Sequence, residues 1–191
     1  MIRLTTLALA GTAALGLAIG AAAPIPSFAK DATTMVGGAP MYPSKNIVQN
    51  AVNSKDHTTL VAAVKAAGLV PTLESKGPFT VFAPTNEAFK KLPAGTVDTL
   101  LKPENKDKLK SVLTYHVVPG RLTAKDLMEK VKAGGGKAEV KTVEGEPLTF
   151  QMNDGKLWVI DAKGDKAQVT IANVMQSNGV IHVINTVMLP G

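Results

Sequence analysis

The 191-residue sequence predicts an α+β fold with segregated layers, its helices running ahead of its strands. Three observations carry that expectation. Apolar residues recur at helical spacing from Ile47 to Val131. From Ala138 the period switches to two, most cleanly where Leu148, Phe150 and Met152 alternate with Thr149, Gln151 and Asn153. The closing run Val180 to Leu189 is apolar on both faces apart from His182, Asn185 and Thr186, as expected of a central strand with neighbours on either side.

Taken in order, the chain opens with Met1 and Arg3 before an uncharged run from Leu4 to Ala23, the layout of a secretory signal peptide. Pro24 and Pro26 follow, and Ser27-Phe28-Ala29 places small residues at −3 and −1, so cleavage is expected after Ala29. Uncut, the run is about long enough to span a bilayer, and membrane contact is expected only in that case. Residues 30–40 are small, polar and without periodicity, which predicts a flexible leader before a single domain over residues 41–191.

Within the domain, Ile47, Val48, Ala51 and Val52 fit one helix face. Asp56 is placed to cap a second helix carrying Leu60, Val61, Val64 and Ala67, which Gly68 ends. Leu69 to Ser75 leads to Gly77-Pro78, and Phe79 to Ala83 reads as a strand. Thr85 can cap a helix with Ala88, Phe89 and Leu92, followed by helical stretches around Val97 to Leu101 and Leu109 to Leu113. Tyr115 to Val118 turns strand-like and closes at Pro119-Gly120. Thr123 and Asp126 form a capping box ahead of Leu127, Met128 and Val131, and Gly134-Gly135-Gly136 ends that helix. Asp154-Gly155 and Asn178-Gly179 predict hairpins.

Composition narrows the function. Cysteine is absent, which excludes disulfides and the thiol a lipoprotein anchor needs. The net charge is +6, yet lysine supplies all basic residues but Arg3 and Arg121, aromatics are only 4%, and the lysine cluster 102–110 is broken by Glu104 and Asp107. Nucleic-acid readers rely on clustered Arg and stacking aromatics, so no nucleic-acid partner is expected. A mild attraction to anionic polysaccharide or lipid headgroups remains. No Gly-x-Ser-x-Gly elbow or carboxylate pair appears, Ser177 belongs to a turn, and the glycine triplet lacks a phosphate loop's Lys-Ser/Thr tail. His57, His116 and His182 have no metal-ligand spacing, and Met128, Met152, Met175 and Met188 read as core fillers. No enzyme activity, metal or cofactor is expected.

Three stretches in series resemble the fasciclin domain family: Thr80-Val81-Phe82-Ala83-Pro84-Thr85-Asn86-Glu87-Ala88-Phe89, Leu113-Thr114-Tyr115-His116-Val117-Val118-Pro119-Gly120, and Ser177-Asn178-Gly179-Val180-Ile181-His182-Val183-Ile184. The resemblance implies a β-sandwich or wedge with packed N-terminal and central helices, in an extracellular adhesion module. It marks Tyr115, His116, Val117 and Val118 as the binding candidates, because this region is linked to integrin-mediated adhesion in animal members. It assigns structural roles to Thr80, Phe82, Pro84, Thr85, Asn86, Phe89, Asn178, Gly179 and His182. A competing expectation for His116 is a satisfied core residue whose ring bridges backbone groups. Asn185 departs from the family, which often carries an acidic residue there.

The expected function is therefore an exported, non-catalytic binding or adhesion module, secreted or periplasmic. It would contact a surface protein or polysaccharide, and because one domain offers one weak contact it would self-associate, be held on a membrane by an uncleaved N-terminus, or act by occupying a partner. The alternative is a periplasmic carrier or sensor of a small apolar or lipid-like ligand.

Overall fold

The computed structural model describes residues 33–191, so the signal-peptide expectation for residues 1–29 lies outside the described residues. Among them no helix is long and apolar enough to cross a membrane.

The first element corrects the expected leader. Thr34–Val36 (β1) pairs antiparallel with Ala39–Met41 (β2), and Val36, Ala39 and Met41 are buried in the main core. Three-residue strands are too short to show a period, which is why composition alone read this stretch as flexible.

Six short helices follow with one strand among them: Ile47–Ala51 (α1), Thr58–Ala67 (α2), Val70–Glu74 (α3), Phe79–Pro84 (β3), Asn86–Lys90 (α4), Thr96–Leu100 (α5) and Lys106–Tyr115 (α6). Gly68 closes α2 as expected. Asp56, however, caps nothing: it sits in a 3-10 turn, Lys55–His57. The free amides at the start of α2 are met from a distant element. The Asn86 Oδ1 accepts from the Thr59 N–H at 3.1 Å and from the Thr58 hydroxyl at 3.2 Å, doing the work of a cap from the neighbouring helix. Thr85 caps α4 by accepting from the Ala88 N–H at 3.2 Å.

The second half holds Val117–Pro119 (β4), Ala124–Ala133 (α7), Lys137–Lys141 (β5), Pro147–Asn153 (β6), Lys156–Ile160 (β7), Lys166–Gln176 (β8) and Gly179–Ile184 (β9). The Tyr-His pair does not start a strand: Tyr115 ends α6, His116 caps it, and β4 begins at Val117. The Thr123/Asp126 capping box at α7 is formed. The β6–β7 hairpin turns on Asp154-Gly155, both at positive φ (51° and 72°), as a type I′ turn requires. The β8–β9 turn lies one residue earlier than expected, on Ser177-Asn178, because Gln176 pairs with Gly179. Gly179 is then a strand residue, and a Cβ there would collide with the Phe79 carbonyl.

Seven strands form one mixed sheet in the order β4-β3-β9-β8-β7-β6-β5, with β3 and β9 parallel and every other pair antiparallel. Strand β8 pairs with β7 at its start and with β9 along the rest, its register slipping near Ile171. The sheet curls until its edges nearly meet, where the Val143 N–H donates to the Val117 carbonyl at 2.8 Å. This closure gives the predicted α+β wedge its form.

Strands β3 and β9 bury both faces. Val81, Ala83, Ile181 and Val183 pack toward α2 and α6 with Leu60, Val64, Leu109 and Leu113. Phe82 and Ile184 face a second core with Leu127 and Val131 of α7 and Leu148, Phe150 and Val159 of the hairpins. One sheet thus separates two apolar cores, and burial of this kind supplies most of the stabilisation, about 25 cal/mol per Å² of apolar surface removed from water.

Candidate functional site

The motif residues converge on the middle of the sheet and on the end of α6. Tyr115 is wholly buried; its hydroxyl donates to the Pro147 carbonyl at 3.0 Å and accepts from the Ala162 N–H at 3.0 Å. Burial pushes its phenol up to about 12, with the nearby carboxylates of Asp161, Glu146 and Glu144 adding to the Ala162-opposed rise. The His116 Nδ1–H donates to the Val112 carbonyl at 2.7 Å, and its Nε2 accepts from the Met188 N–H at 3.0 Å. Those partners fix one neutral tautomer, and burial lowers the ring to about 4 against the opposing Val112 bond and Asp161. Val117 and Val118 are buried in opposite cores. None of these four side chains is open to a partner; Tyr115 ties the end of α6 to the start of β6 and the β7–β8 turn, and His116 ties it to the C-terminal segment.

The remaining motif residues are equally committed. The Thr80 hydroxyl donates to the Gly120 carbonyl at 2.7 Å and accepts from the Leu122 N–H at 2.8 Å. Phe82 stacks on His182 at 5.5 Å and tilts against Phe150 at 5.3 Å. Pro84 ends β3 and Phe89 packs into the first core. The Asn178 Oδ1 accepts from the Ile47 N–H at 3.0 Å, and its Nδ2 donates to the carbonyls of Leu73 at 2.7 Å and Ser75 at 2.9 Å. The His182 Nε2–H donates to the Leu122 carbonyl at 2.9 Å, and burial lowers its pKa.

His57 is the third buried histidine. Its Nδ1 meets the Ser54 hydroxyl at 2.8 Å, while its Nε2 has no partner of hydrogen-bond geometry, although the Ala83 carbonyl lies near the ring. Burial lowers its pKa too, with Ala83 and Asp56 opposing. The three rings serve three separate bond sets, and no group of three His, Cys, Asp or Glu side chains is placed to share a metal among the described residues. Beside His57 and His116 lies an almost wholly apolar cavity of about 70 Å³, walled by Leu60, Val64, Leu113 and Ile181.

Asn185 finds a local explanation. Its Oδ1 accepts from the Gln168 N–H at 2.9 Å and from the Thr186 hydroxyl at 3.2 Å, bonds that a carboxylate oxygen accepts equally well. Asp161 belongs to none of the sequence motifs, yet its carboxylate receives the N–H groups of Lys163, Asp165 and Leu189 at 2.8 to 3.0 Å. The turn pattern Asp161-Ala162-Lys163-Gly164 was its only local signal.

Comparison with known proteins agrees with this architecture. A family model described as the fasciclin domain matches residues 55–190. A Synechocystis protein, sll1483, is 50% identical over 183 residues, 94% of this chain and 93% of its own. The cell surface glycolipoprotein MPB83 of Mycobacterium bovis is 36% identical over 149 residues, 73% of this chain and 58% of its own. A FAS1 domain pair from the insect cell adhesion molecule fasciclin I superposes with a TM-score of 0.70 at 20% identity, over 78% of this chain and 52% of that one.

Proposed function

The chain belongs to the fasciclin domain family, and on that premise we propose that it is an exported, non-catalytic module that recognises an extracellular protein or polysaccharide through its outer surface. One observation carries the reading: apart from Glu87, Pro119 and Ser177 at the surface, the residues of the three family motifs are buried or half-buried, and their polar side chains hold the fold. What the family shares is a scaffold, and recognition falls to the exposed faces of loops and strands. A cell surface relative and a fold shared with an adhesion molecule support a place outside the cytoplasm.

A glycan and protein array probed with the purified chain tests this, alongside size-exclusion chromatography for self-association. Saturable capture by an extracellular protein or polysaccharide is the expected result. Turnover of a substrate, or retention by nothing on the array, overturns it.

The carrier alternative draws on the apolar cavity. At about 70 Å³ that cavity is less than half the roughly 150 Å³ of an engineered void that admits benzene. A lipid-like guest needs the helices to part, so the cavity favours the packing role over the carrier.

A further inference from the structure

The outer face of strands β5 to β8 carries side chains that the fold itself does not use. Alternation sends Ala138, Val140, Leu148, Phe150, Leu157, Val159 and Ala167 inward to the second core, where Leu127 and Val131 of α7 cover them. The opposite residues therefore share the outer face. Pairing aligns Lys137, Gln151, Trp158 and Gln168 in one row across four strands, and Glu139, Thr149, Ile160 and Lys166 in the next.

Trp158 is the chain's sole tryptophan, half-buried in a sheet with Gln151 and Gln168 directly beside it on the neighbouring strands. Its indole Nε1–H has no acceptor among the described residues, and an unmet donor of this kind calls for an explanation. The Gln168 backbone pairs with Asn185, while neither glutamine's side-chain amide bonds within the described residues. Each amide offers one acceptor and two donors.

We propose that this row is a binding face for an acidic polysaccharide, which deepens the functional reading above and rests on it. An aromatic face packs against the C–H surface of a sugar ring, and the flanking amides offer paired donors and acceptors to adjacent hydroxyls. Strands about 4.8 Å apart make the row roughly 14 Å long, the scale of a short oligosaccharide lying across the strands. Lys137, Lys141, Lys156 and Lys166 stand on this face against the single acidic Glu139, so a carboxylate- or sulfate-bearing chain is the complementary partner. The indole Nε1–H is itself shielded from solvent, so the ring and the flanking amides carry the contacts.

The single tryptophan makes the test direct, since its emission reports only on this row. The purified chain is titrated with alginate oligosaccharides and, in parallel, with uncharged cello-oligosaccharides. The expected result is a saturable change in tryptophan emission with alginate, weaker by about tenfold or more for the neutral sugar and for the Gln151→Ala/Gln168→Ala double variant. That variant keeps the reporter and leaves the core contacts intact. Alginate binding without an emission change, or unaffected by the double variant, overturns the proposal, as does equal affinity for the neutral sugar. Should a different partner emerge from the array with affinity indifferent to the double variant, the face fails while the broader function stands. Should nothing at all be retained, both fail.

Discussion

The Met188 N–H donates to the Nε2 of His116, 72 residues earlier in the chain, at 3.0 Å. This bond forces the ring proton onto Nδ1, where the Val112 carbonyl takes it at 2.7 Å, so one imidazole bridges a helix end and the C-terminal segment. In His116→Ala two buried backbone groups lose their partner and a void opens. The expected loss is about 3 to 5 kcal/mol, read as a melting temperature lower by roughly 10 °C, with capture of any extracellular partner unchanged below the transition.

Acid should unfold the protein through the same residue. His116 titrates at about 4 in the folded chain against 6.5 unfolded, and burial lowers His57 and His182 in the same direction. A lowered histidine means the unfolded chain takes the proton first. The contribution is whole above pH 6.5, declines between pH 6.5 and about 4, and levels off below. The gap for His116 corresponds to roughly 3 kcal/mol. Urea midpoints measured from pH 8 to pH 4 should fall across that window, and less steeply in His116→Ala.

Tyr115→Phe keeps the ring and removes only the hydroxyl that joins the Pro147 carbonyl to the Ala162 N–H. Destabilisation of about 2 kcal/mol is expected in chemical denaturation. Because burial raises the phenol to about 12, the wild-type chain should also lose stability as pH climbs from 10 toward 12, and the phenylalanine variant should lack that component.

Asn178 holds α1, the end of α3 and the β8–β9 turn with one amide. Asn178→Ala should lower stability by about 3 kcal/mol. Asn178→Asp is the sharper test, because it keeps an acceptor for Ile47 but turns a carboxylate toward the Leu73 and Ser75 carbonyls. Thermal melts should rank it at or below the alanine variant.

The elements that were legible in the sequence are those whose signal is local. The capping box at Thr123, the glycine stop at Gly68 and the Asp154-Gly155 turn all formed where short-range chemistry placed them. The run Val180 to Ile184, apolar on both faces apart from His182, does stand between β3 and β8. What escaped were relationships made by tertiary contact. Asp56 had the right residue type for a cap, but Asn86, remote in sequence, reaches the α2 amides instead. The pair Tyr115-His116 looked like the start of a strand because aromatic and β-branched residues crowd there, yet α6 runs on through Tyr115 to bury it. The binding candidates Tyr115, His116, Val117 and Val118 are buried, and the His116 ring bridges the Val112 carbonyl and the Met188 N–H, the competing expectation for that residue. Trp158 and its glutamines were unremarkable in the sequence, since strand register alone sets them side by side.

Strand β9 is the last strand of the sheet in chain order, and it is inserted between β3 and β8 rather than added at an edge. A nascent polypeptide that stops before Gly179 therefore leaves two raw borders, each with an unpaired row of amides and carbonyls inviting another chain. Completion of the sheet waits for its final strand. A truncation that removes even this one short segment takes away the shared partner of both halves of the sheet, so such fragments should aggregate rather than persist as smaller folded units.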